Sequence, residues 1–236
     1  MNKGLKITLS IVLLALVAVG CVYGIYRSIM KPVNFNKEKA RRQEVAVQRL
    51  KDIRTLEVAF KGVHNRFTDS IDSLKQFYNT GKMDIIMQVG SNDDSLAVEN
   101  TKKYKNDKNF KKLSKEEQNA KFMELYRKGE KLVFSISTPI AVKDTLFNNR
   151  PDFNIDSLAY IPFSGKQPVQ MEAIVKTVSG VQVPLFEARM PWRAILKGMD
   201  NQLRINLDAE CEAQNRYEGL QVGSVTAPNN NAGNWE

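Results

Sequence analysis

Few side chains in this sequence could do nucleophilic chemistry. His64 is the single histidine, and it lies in the segment Val63-His64-Asn65-Arg66-Phe67 between two predicted helices. Any Ser/His or Cys/His arrangement would have to use it. Such a turn is typical of a surface or hydrogen-bonded histidine, so we interpret His64 as structural. The nucleophile elbow G-x-S-x-G and the phosphate loops G-x-x-x-x-G-K-[ST] and G-x-G-x-x-G do not occur.

The acidic residues form no arrangement suited to catalysis or metal binding. Asp93-Asp94 and Glu116-Glu117 are adjacent pairs, which point apart on a strand or a helix and cannot share a proton well. Asp144, Asp152 and Asp156 lie in predicted loops without the glycine and closing glutamate of an EF-hand. We therefore predict no catalytic residue, no metal site and no cofactor, and we do not expect an enzyme.

The N-terminal region carries the strongest pattern in the sequence. Ile7 to Tyr26 is a run of twenty residues without a charge, which as a helix spans roughly 30 Å, the thickness of a bilayer core. We predict an uncleaved transmembrane anchor over residues 1–31. A cleaved signal peptide and a lipoprotein, lipidated at Cys21 in Ala18-Val19-Gly20-Cys21, are the alternatives. Cys21 and Cys211 are the two cysteines, so a disulfide framework in the domain is excluded.

The orientation of the anchor follows from two opposing arguments. Lys3 and Lys6 precede the apolar run, whereas six basic residues follow it, which places the C-terminal part in the cytoplasm by the positive-inside rule: Arg27, Lys31, Lys37, Lys39, Arg41 and Arg42. A short basic start is nevertheless typical of a signal anchor, and large domains translocate largely regardless of charge. We predict a single-pass protein of the bacterial inner membrane with a periplasmic domain.

A helical stalk is predicted over residues 32–67. Pro32 should end or bend the membrane helix, and Lys37 to Glu44 should stand free in solvent. Beyond them, one apolar stripe has helical spacing and forms our candidate interaction surface: Ala46, Leu50, Ile53, Leu56, Phe60 and Val63. Either a sheet of this chain or a partner helix must cover it, and we favour the sheet.

A lysine-rich insert at 99–117 holds seven lysines and four acidic residues and contributes +3 to the net charge of +9. Tyr104 and Phe110 alternate with its basic residues, a pattern that could bind single-stranded nucleic acid or an anionic lipid surface. A solvated loop is the favoured interpretation, and we do not expect nucleic acid as a partner. The candidate contacts are Lys102, Lys103, Lys105, Lys108, Lys111 and Lys112. Ser114 and Glu117 then form a capping box.

The second half of the sequence is rich in strand patterns. Met171–Val178 and Val181–Arg189 flank Ser179-Gly180 and predict a β-hairpin. Further strands are predicted at 83–89, at 132–142 with an interruption near Pro139, at 158–161, at 203–207 and at 220–225. The predicted fold is therefore α+β: a transmembrane helix, an amphipathic helical stalk, a small domain with an antiparallel sheet at 68–226, and a loose tail at 227–236.

The first 80 residues resemble type IV pilins and type II secretion pseudopilins. The likeness rests on a basic start, an apolar helix that continues as an amphipathic one, and the turn His64-Asn65-Arg66-Phe67. It implies cleavage after Gly4, although Leu9 replaces the expected glutamate. The segments Tyr217–Ser224 and Gly233–Glu236 resemble the endings of uncharacterised single-pass bacterial envelope proteins.

Three functional hypotheses follow, of which the third is a binding module for anionic ligands that uses Lys102 to Lys115. The first is a non-catalytic envelope protein, anchored in the membrane, that has a structural or assembly role through self-association or contacts with other envelope proteins. The second is a pilin-like or pseudopilin-like subunit of a filament or secretion apparatus.

Overall fold

The structure is a computed structural model that describes residues 3–236, with side chains from residue 11 onward. The side chains of Lys3 and Lys6, and those at the predicted cleavage site Gly4–Leu5, lie outside the described part. The described elements follow one another as α1 (Lys3–His64), α2 (Ile71–Thr80), β1 (Lys82–Val89), α3 (Ser95–Asn106), α4 (Lys108–Lys111), α5 (Lys115–Arg127), β2 (Phe134–Ala141), α6 (Val142–Thr145), a 3₁₀ turn (Ile155–Ala159), β3 (Gln170–Val178), β4 (Val181–Pro191), α7 (Trp192–Ile195), α8 (Asn201–Ala213) and β5 (Gly219–Gly223).

The α+β prediction is confirmed, but the chain forms two compact units rather than one domain after a stalk. The first unit comprises the residues up to Lys75 together with Asn154–Glu236, and the second comprises Gln76–Phe153. Lys75 and Asp156, next to the two chain crossings, form an ion pair of 3.0 Å within the first unit.

Helix α1 is the longest element and is not interrupted at Pro32. The proline lies inside the helix, where it removes one backbone hydrogen bond without ending the run. Beyond it, α1 packs on β4, β5 and α7 of the first unit. The stripe of Ala46, Leu50 and Ile53 is buried there, so the prediction that a sheet of this chain covers it is confirmed.

The sheet of the first unit has the order β3-β4-β5 and is antiparallel throughout. The predicted hairpin is present, with Val178 paired to Val181 across a two-residue turn. Ser179 and Gly180 have φ values of +50° and +81°, the two left-handed residues that a type I′ turn requires. Phe186 of the central strand β4 contacts the ring of Phe67 just after α1, at 4.8 Å between centroids.

The predicted strand at 203–207 is wrong, because these residues belong to helix α8. Asp200 caps the helix by accepting a hydrogen bond from the Leu203 amide at 2.9 Å. The alternation of Leu203, Ile205 and Leu207 had indicated a strand. The helical interpretation places Leu203, Leu207 and Cys211 four residues apart on the more buried side and leaves Ile205 exposed.

Two further strand predictions need correction. Residues 158–161 are not a strand: Leu158 lies in the 3₁₀ turn, which the Asn154 side chain caps by accepting from the Asp156 amide. The interruption at Pro139 is also wrong, since β2 runs through it and Pro139 pairs with Asp84 of β1. A two-stranded ribbon tolerates this proline because each strand has an outer edge where no ladder N–H is needed.

The C-terminal segment is ordered by β5, in contrast to the predicted loose tail. Val222 bridges Gly233, and the Asn234 amide donates to the Gln221 carbonyl at 3.0 Å. The Asn234 side chain donates to the Gly219 carbonyl at 2.9 Å. This segment therefore covers the outer edge of β5, because it satisfies backbone groups that would otherwise face solvent.

The prediction that Lys37 to Glu44 stand free in solvent is wrong, because the helix turns after Pro32 contact the rest of the first unit. Phe35 is buried, and the Arg42 guanidinium donates to the carbonyls of Ile195 at 3.1 Å and Lys197 at 2.9 Å. Lys31 pairs with Asp200 at 2.7 Å. The first unit consequently contacts α1 almost as far as the end of the apolar run.

The second unit combines the β1–β2 ribbon with helices α3, α4 and α5. Its core contains Phe110, Phe122, Leu132 and Phe134. The rings of Phe110 and Phe122 are 4.7 Å apart, and those of Phe122 and Phe134 are 5.2 Å apart. The predicted capping box is present, with reciprocal hydrogen bonds between Ser114 and Glu117 at the start of α5.

Candidate functional site

Helix α1 has an exposed apolar segment near its N-terminal end and a segment packed in the core of the first unit farther along. Every residue from Ile11 to Ile29 is exposed, including Leu14 with 73% of its surface free. Within the described part of the chain, one helix is long and apolar enough to cross a membrane, and it is α1. Such an uncovered apolar surface is unfavourable in water and favourable in lipid. The chain thus has a candidate membrane-spanning helix near its N-terminus, consistent with single-pass anchoring.

The base of the first unit lies close to this exposed segment. Lys31, which pairs with Asp200 at the start of α8, follows Tyr26 by five residues, a rise of about 7.5 Å. Helix α1 continues without a break from the apolar segment into the core of the first unit, so no flexible linker lies between the two. The position of the first unit is therefore set by the direction of the candidate membrane-spanning segment.

The predicted interaction stripe is largely unavailable to a partner. Ala46, Leu50, Ile53 and Leu56 have no exposed surface and Phe60 is buried, whereas Val63 is 41% exposed. Their side chains form the core between α1 and the sheet. In the folded chain, five of the six candidate residues therefore stabilise the first unit and do not form a contact surface.

Other apolar side chains are exposed instead. Val175 on β3 is 58% exposed, and Val181 at the tip of the hairpin is 63% exposed. In the second unit, Ile86 of β1 is 70% exposed. β3 and β1 are both edge strands in the part of the chain that the structure describes, so their outer backbone groups remain available for pairing. Sequence reasoning assigned these strands and missed the exposure, which depends on strand order.

The six candidate lysines all have exposed side chains. They lie on two short helices and the residue after them, not on a loop, since Asp94 and Asp107 cap α3 and α4. The aromatic residues between them do not share this exposure. Phe110 is buried in the core of the second unit, and Tyr104 is half-buried against it.

The residues with catalytic side chains are dispersed. The ring of His64 lies on that of Phe60, with centroids 4.3 Å apart at the end of α1. Asp94 accepts hydrogen bonds from the amides of Leu96 and Ala97, so its carboxylate serves as a helix cap. Among the described residues, no group of three or more His, Cys, Asp or Glu side chains is placed to hold a metal ion.

A buried carboxyl group was missed by sequence reasoning. Glu57 on α1 is fully buried, and its Oε2 accepts a hydrogen bond from the Thr68 amide at 3.2 Å. Burial raises the pKa of Glu57 to about 8, and the nearby charge of Asp69 adds to this increase. The position follows Ile53 by four residues and precedes Phe60 by three, so helical spacing could have placed it on the buried face.

A cavity of about 410 Å³ lies in the first unit between α1, α8, β5 and the C-terminal segment. Its lining includes Lys39, Trp192, Cys211, Arg216 and Trp235. The Nε1 of Trp235 is buried without a hydrogen-bond partner. The cavity could not be predicted from the sequence, because the C-terminal segment that closes it was expected to be loose.

Comparison with protein-family models, with curated proteins and with solved structures finds no match for this chain.

Proposed function

We propose that this chain is a non-catalytic, single-pass membrane protein of the bacterial envelope, with a structural or assembly role exerted through protein–protein contacts. The continuity of α1 carries the proposal: one helix is exposed and apolar at its N-terminal end and forms part of the core of the first unit farther along. This arrangement fixes a folded unit rigidly to a membrane anchor. Such a connection suits a protein that positions partners.

The proposed location is the inner membrane, with the domain in the periplasm. The support is the signal-anchor character of the N-terminal sequence, and the competing argument is the basic segment after the apolar run. Fusion of alkaline phosphatase to the C-terminus should give an active enzyme. A fluorescent protein that matures only in the cytoplasm should stay dark at the same position, and the opposite pair of results would reverse the orientation.

Self-association can be tested by crosslinking through engineered cysteines on α1. The structure indicates Glu44 and Lys51 as exposed positions, whereas Lys39 lines the cavity and Arg42 binds two carbonyls. In a Cys21→Ala background, Glu44→Cys or Lys51→Cys should give a disulfide-linked dimer in membranes at native expression. The matched control is Ala46→Cys, whose side chain is buried. Monomer at both exposed positions, together with no co-purifying envelope protein, would contradict the proposal.

A pilin-like subunit is the second candidate. The observation that favours it is the packing of the continuing half of α1 on β4 and β5 of an antiparallel sheet, while the first half stays exposed. This function requires cleavage after Gly4. Mass spectrometry of the mature N-terminus distinguishes the candidates: a chain beginning at Leu5 supports the pilin-like subunit, and an intact Met1 or Asn2 eliminates it. A lipid-modified Cys21 at the N-terminus would eliminate both uncleaved anchoring and pilin processing.

A further inference from the structure

The second unit carries a concentrated positive charge, here called the basic surface. It consists of exposed lysines on α3, on α4 and at the residue that follows α4: Lys102, Lys103, Lys105, Lys108, Lys111 and Lys112. Among the described residues, none of these ammonium groups lies within ion-pairing distance of a carboxylate. By contrast, Lys128 and Lys131 of the same unit are paired with Glu124 and Asp94.

The core of the second unit keeps the basic surface facing outward. Phe110 is buried on one side of α4, and Lys108 and Lys112 are each two residues away from it, about 200° around the helix. Helix α3 is held by buried Thr101, whose hydroxyl accepts a hydrogen bond from the Val133 amide at 2.8 Å. The lysines are therefore fixed on a folded framework at a defined spacing.

The acidic residue nearest the middle of the basic surface forms no ion pair with its lysines. Asp107 lies between α3 and α4, and its carboxylate accepts hydrogen bonds from the amides of Asn109 at 2.6 Å and Phe110 at 3.2 Å. These bonds cap α4. The carboxylate therefore offsets one of the six positive charges without pairing with a lysine, and an excess of positive charge remains for an external anion.

The shape and chemistry of the basic surface distinguish between polyanions. Single-stranded nucleic acid is normally held by aromatic stacking in a groove, yet Phe110 is buried and Tyr104 is half-buried. The cavity between α1, α8, β5 and the C-terminal segment is not lined by these lysines. Lysine is a compact point charge without the planar fork of arginine. Six such charges spread over two helices fit a broad, diffusely charged surface.

We propose that the basic surface binds anionic phospholipid headgroups by electrostatic attraction, without insertion into the bilayer. A candidate membrane-spanning helix in the same chain would hold the second unit at a high effective concentration near lipid, so that weak individual contacts suffice. The contact is independent of the protein–protein role proposed above. It gives the protein a second point of attachment to the membrane, in addition to the candidate membrane-spanning helix.

The test uses the full chain in nanodiscs of neutral phosphatidylcholine. Vesicles of phosphatidylcholine alone, or mixed with phosphatidylglycerol, are floated with these nanodiscs at low and at high salt. The anionic vesicles should capture the nanodiscs at low salt, and capture should be lost at high salt. The variant with Lys108, Lys111 and Lys112 all changed to glutamine should bind about 100-fold more weakly, since each lysine near an anionic surface contributes a several-fold gain in affinity.

The matched control changes three exposed lysines elsewhere, Lys51, Lys121 and Lys143, to glutamine. It has the same net charge as the test variant and should bind anionic vesicles as the parent does. Equal loss in both variants, capture by neutral vesicles or capture that persists at high salt would overturn the proposal. Tighter binding to a single-stranded oligonucleotide than to anionic vesicles at the same salt would overturn it in favour of a nucleic-acid partner.

Discussion

Two halves of the same helix differ in what covers their apolar residues. From Ile11 to Ile29, apolar side chains surround α1 on all sides and none is covered by the protein. From Ala46 to Phe60, the buried residues occupy one face, against the sheet. A helix that is apolar all round is suited to lipid, and one with an apolar stripe is suited to a protein core. The distribution of apolar residues around the helix axis therefore distinguishes the candidate membrane-spanning half from the half that belongs to the core.

Replacing a leucine by aspartate should lower the stability of the first unit in one half of α1 and weaken membrane insertion in the other half. Leu50→Asp places an unpaired charge at a position without exposed surface, so we expect loss of at least about 5 kcal/mol of the free energy of unfolding of the first unit. Leu14→Asp should leave that free energy unchanged and weaken membrane insertion by about 3 kcal/mol. Denaturant unfolding in detergent, followed by the fluorescence of buried Trp192, measures the first effect; carbonate extraction of membranes measures the second. Equal destabilisation by both substitutions would contradict the distinction.

The core half of α1 should also confer a pH dependence that the anchor half lacks. The folded state binds the proton of Glu57 up to about pH 8, whereas the unfolded state releases it near the ordinary pKa of 4.5. Stability is therefore greatest below the unfolded pKa and is lost as the pH rises to the folded pKa. Between about pH 5 and pH 9, the free energy of unfolding should fall by about 4 kcal/mol from this group.

Glu57→Gln keeps the shape of the neutral side chain and should remove this decrease. Denaturant midpoints at the two ends of the pH range measure it. The matched control is Glu44→Gln, at an exposed position on the same helix, which should retain the pH dependence of the parent. If Glu57→Gln and the parent lose stability in parallel, Glu57 is not the group responsible.

The smallest effect is expected where the C-terminal segment contacts α1. Arg54 donates to the carboxylate of Glu236 at 2.7 Å and to the carbonyl of Asn231 at 3.2 Å. Both side chains of the ion pair are partly exposed, so Arg54→Ala should lower the free energy of unfolding by about 1 kcal/mol or less. Thermal unfolding at low and high salt measures the change. A decrease of several kcal/mol in the free energy of unfolding would contradict this expectation and would mean that packing of the C-terminal segment on α1 contributes strongly to stability.

Local patterns predicted much of this fold correctly. Gly180 follows Ser179 between two β-branched runs, and this pair specified a hairpin because a type I′ turn needs two left-handed residues. Ser114 and Glu117 specified a capping box because their side chains satisfy amides within one helical turn. The spacing of Leu50 and Ile53 indicated a buried face. Each of these predictions depends on neighbours within a few residues.

The predictions that were wrong depend on distant contacts. Leu203 to Leu207 fits a strand by local alternation, and packing on the side of Leu207 and Cys211 selects the helix instead. The basic surface shows the same limit of sequence reasoning. The alternation of Phe110 with lysines indicated a possible stacking site for bases, but the ring of Phe110 is buried in the core of the second unit.

By itself, the sequence determined the candidate membrane-spanning segment, the hairpin and the amphipathic face of α1, because composition and local hydrogen bonding are sufficient for each. Only the tertiary structure decided that β5 is covered by the segment containing Gly233 and Asn234, and that contacts with the first unit extend along α1 as far as Lys31. These features join residues far apart in the chain. Their free energy comes from desolvation and from backbone groups that find partners only after the elements have packed together.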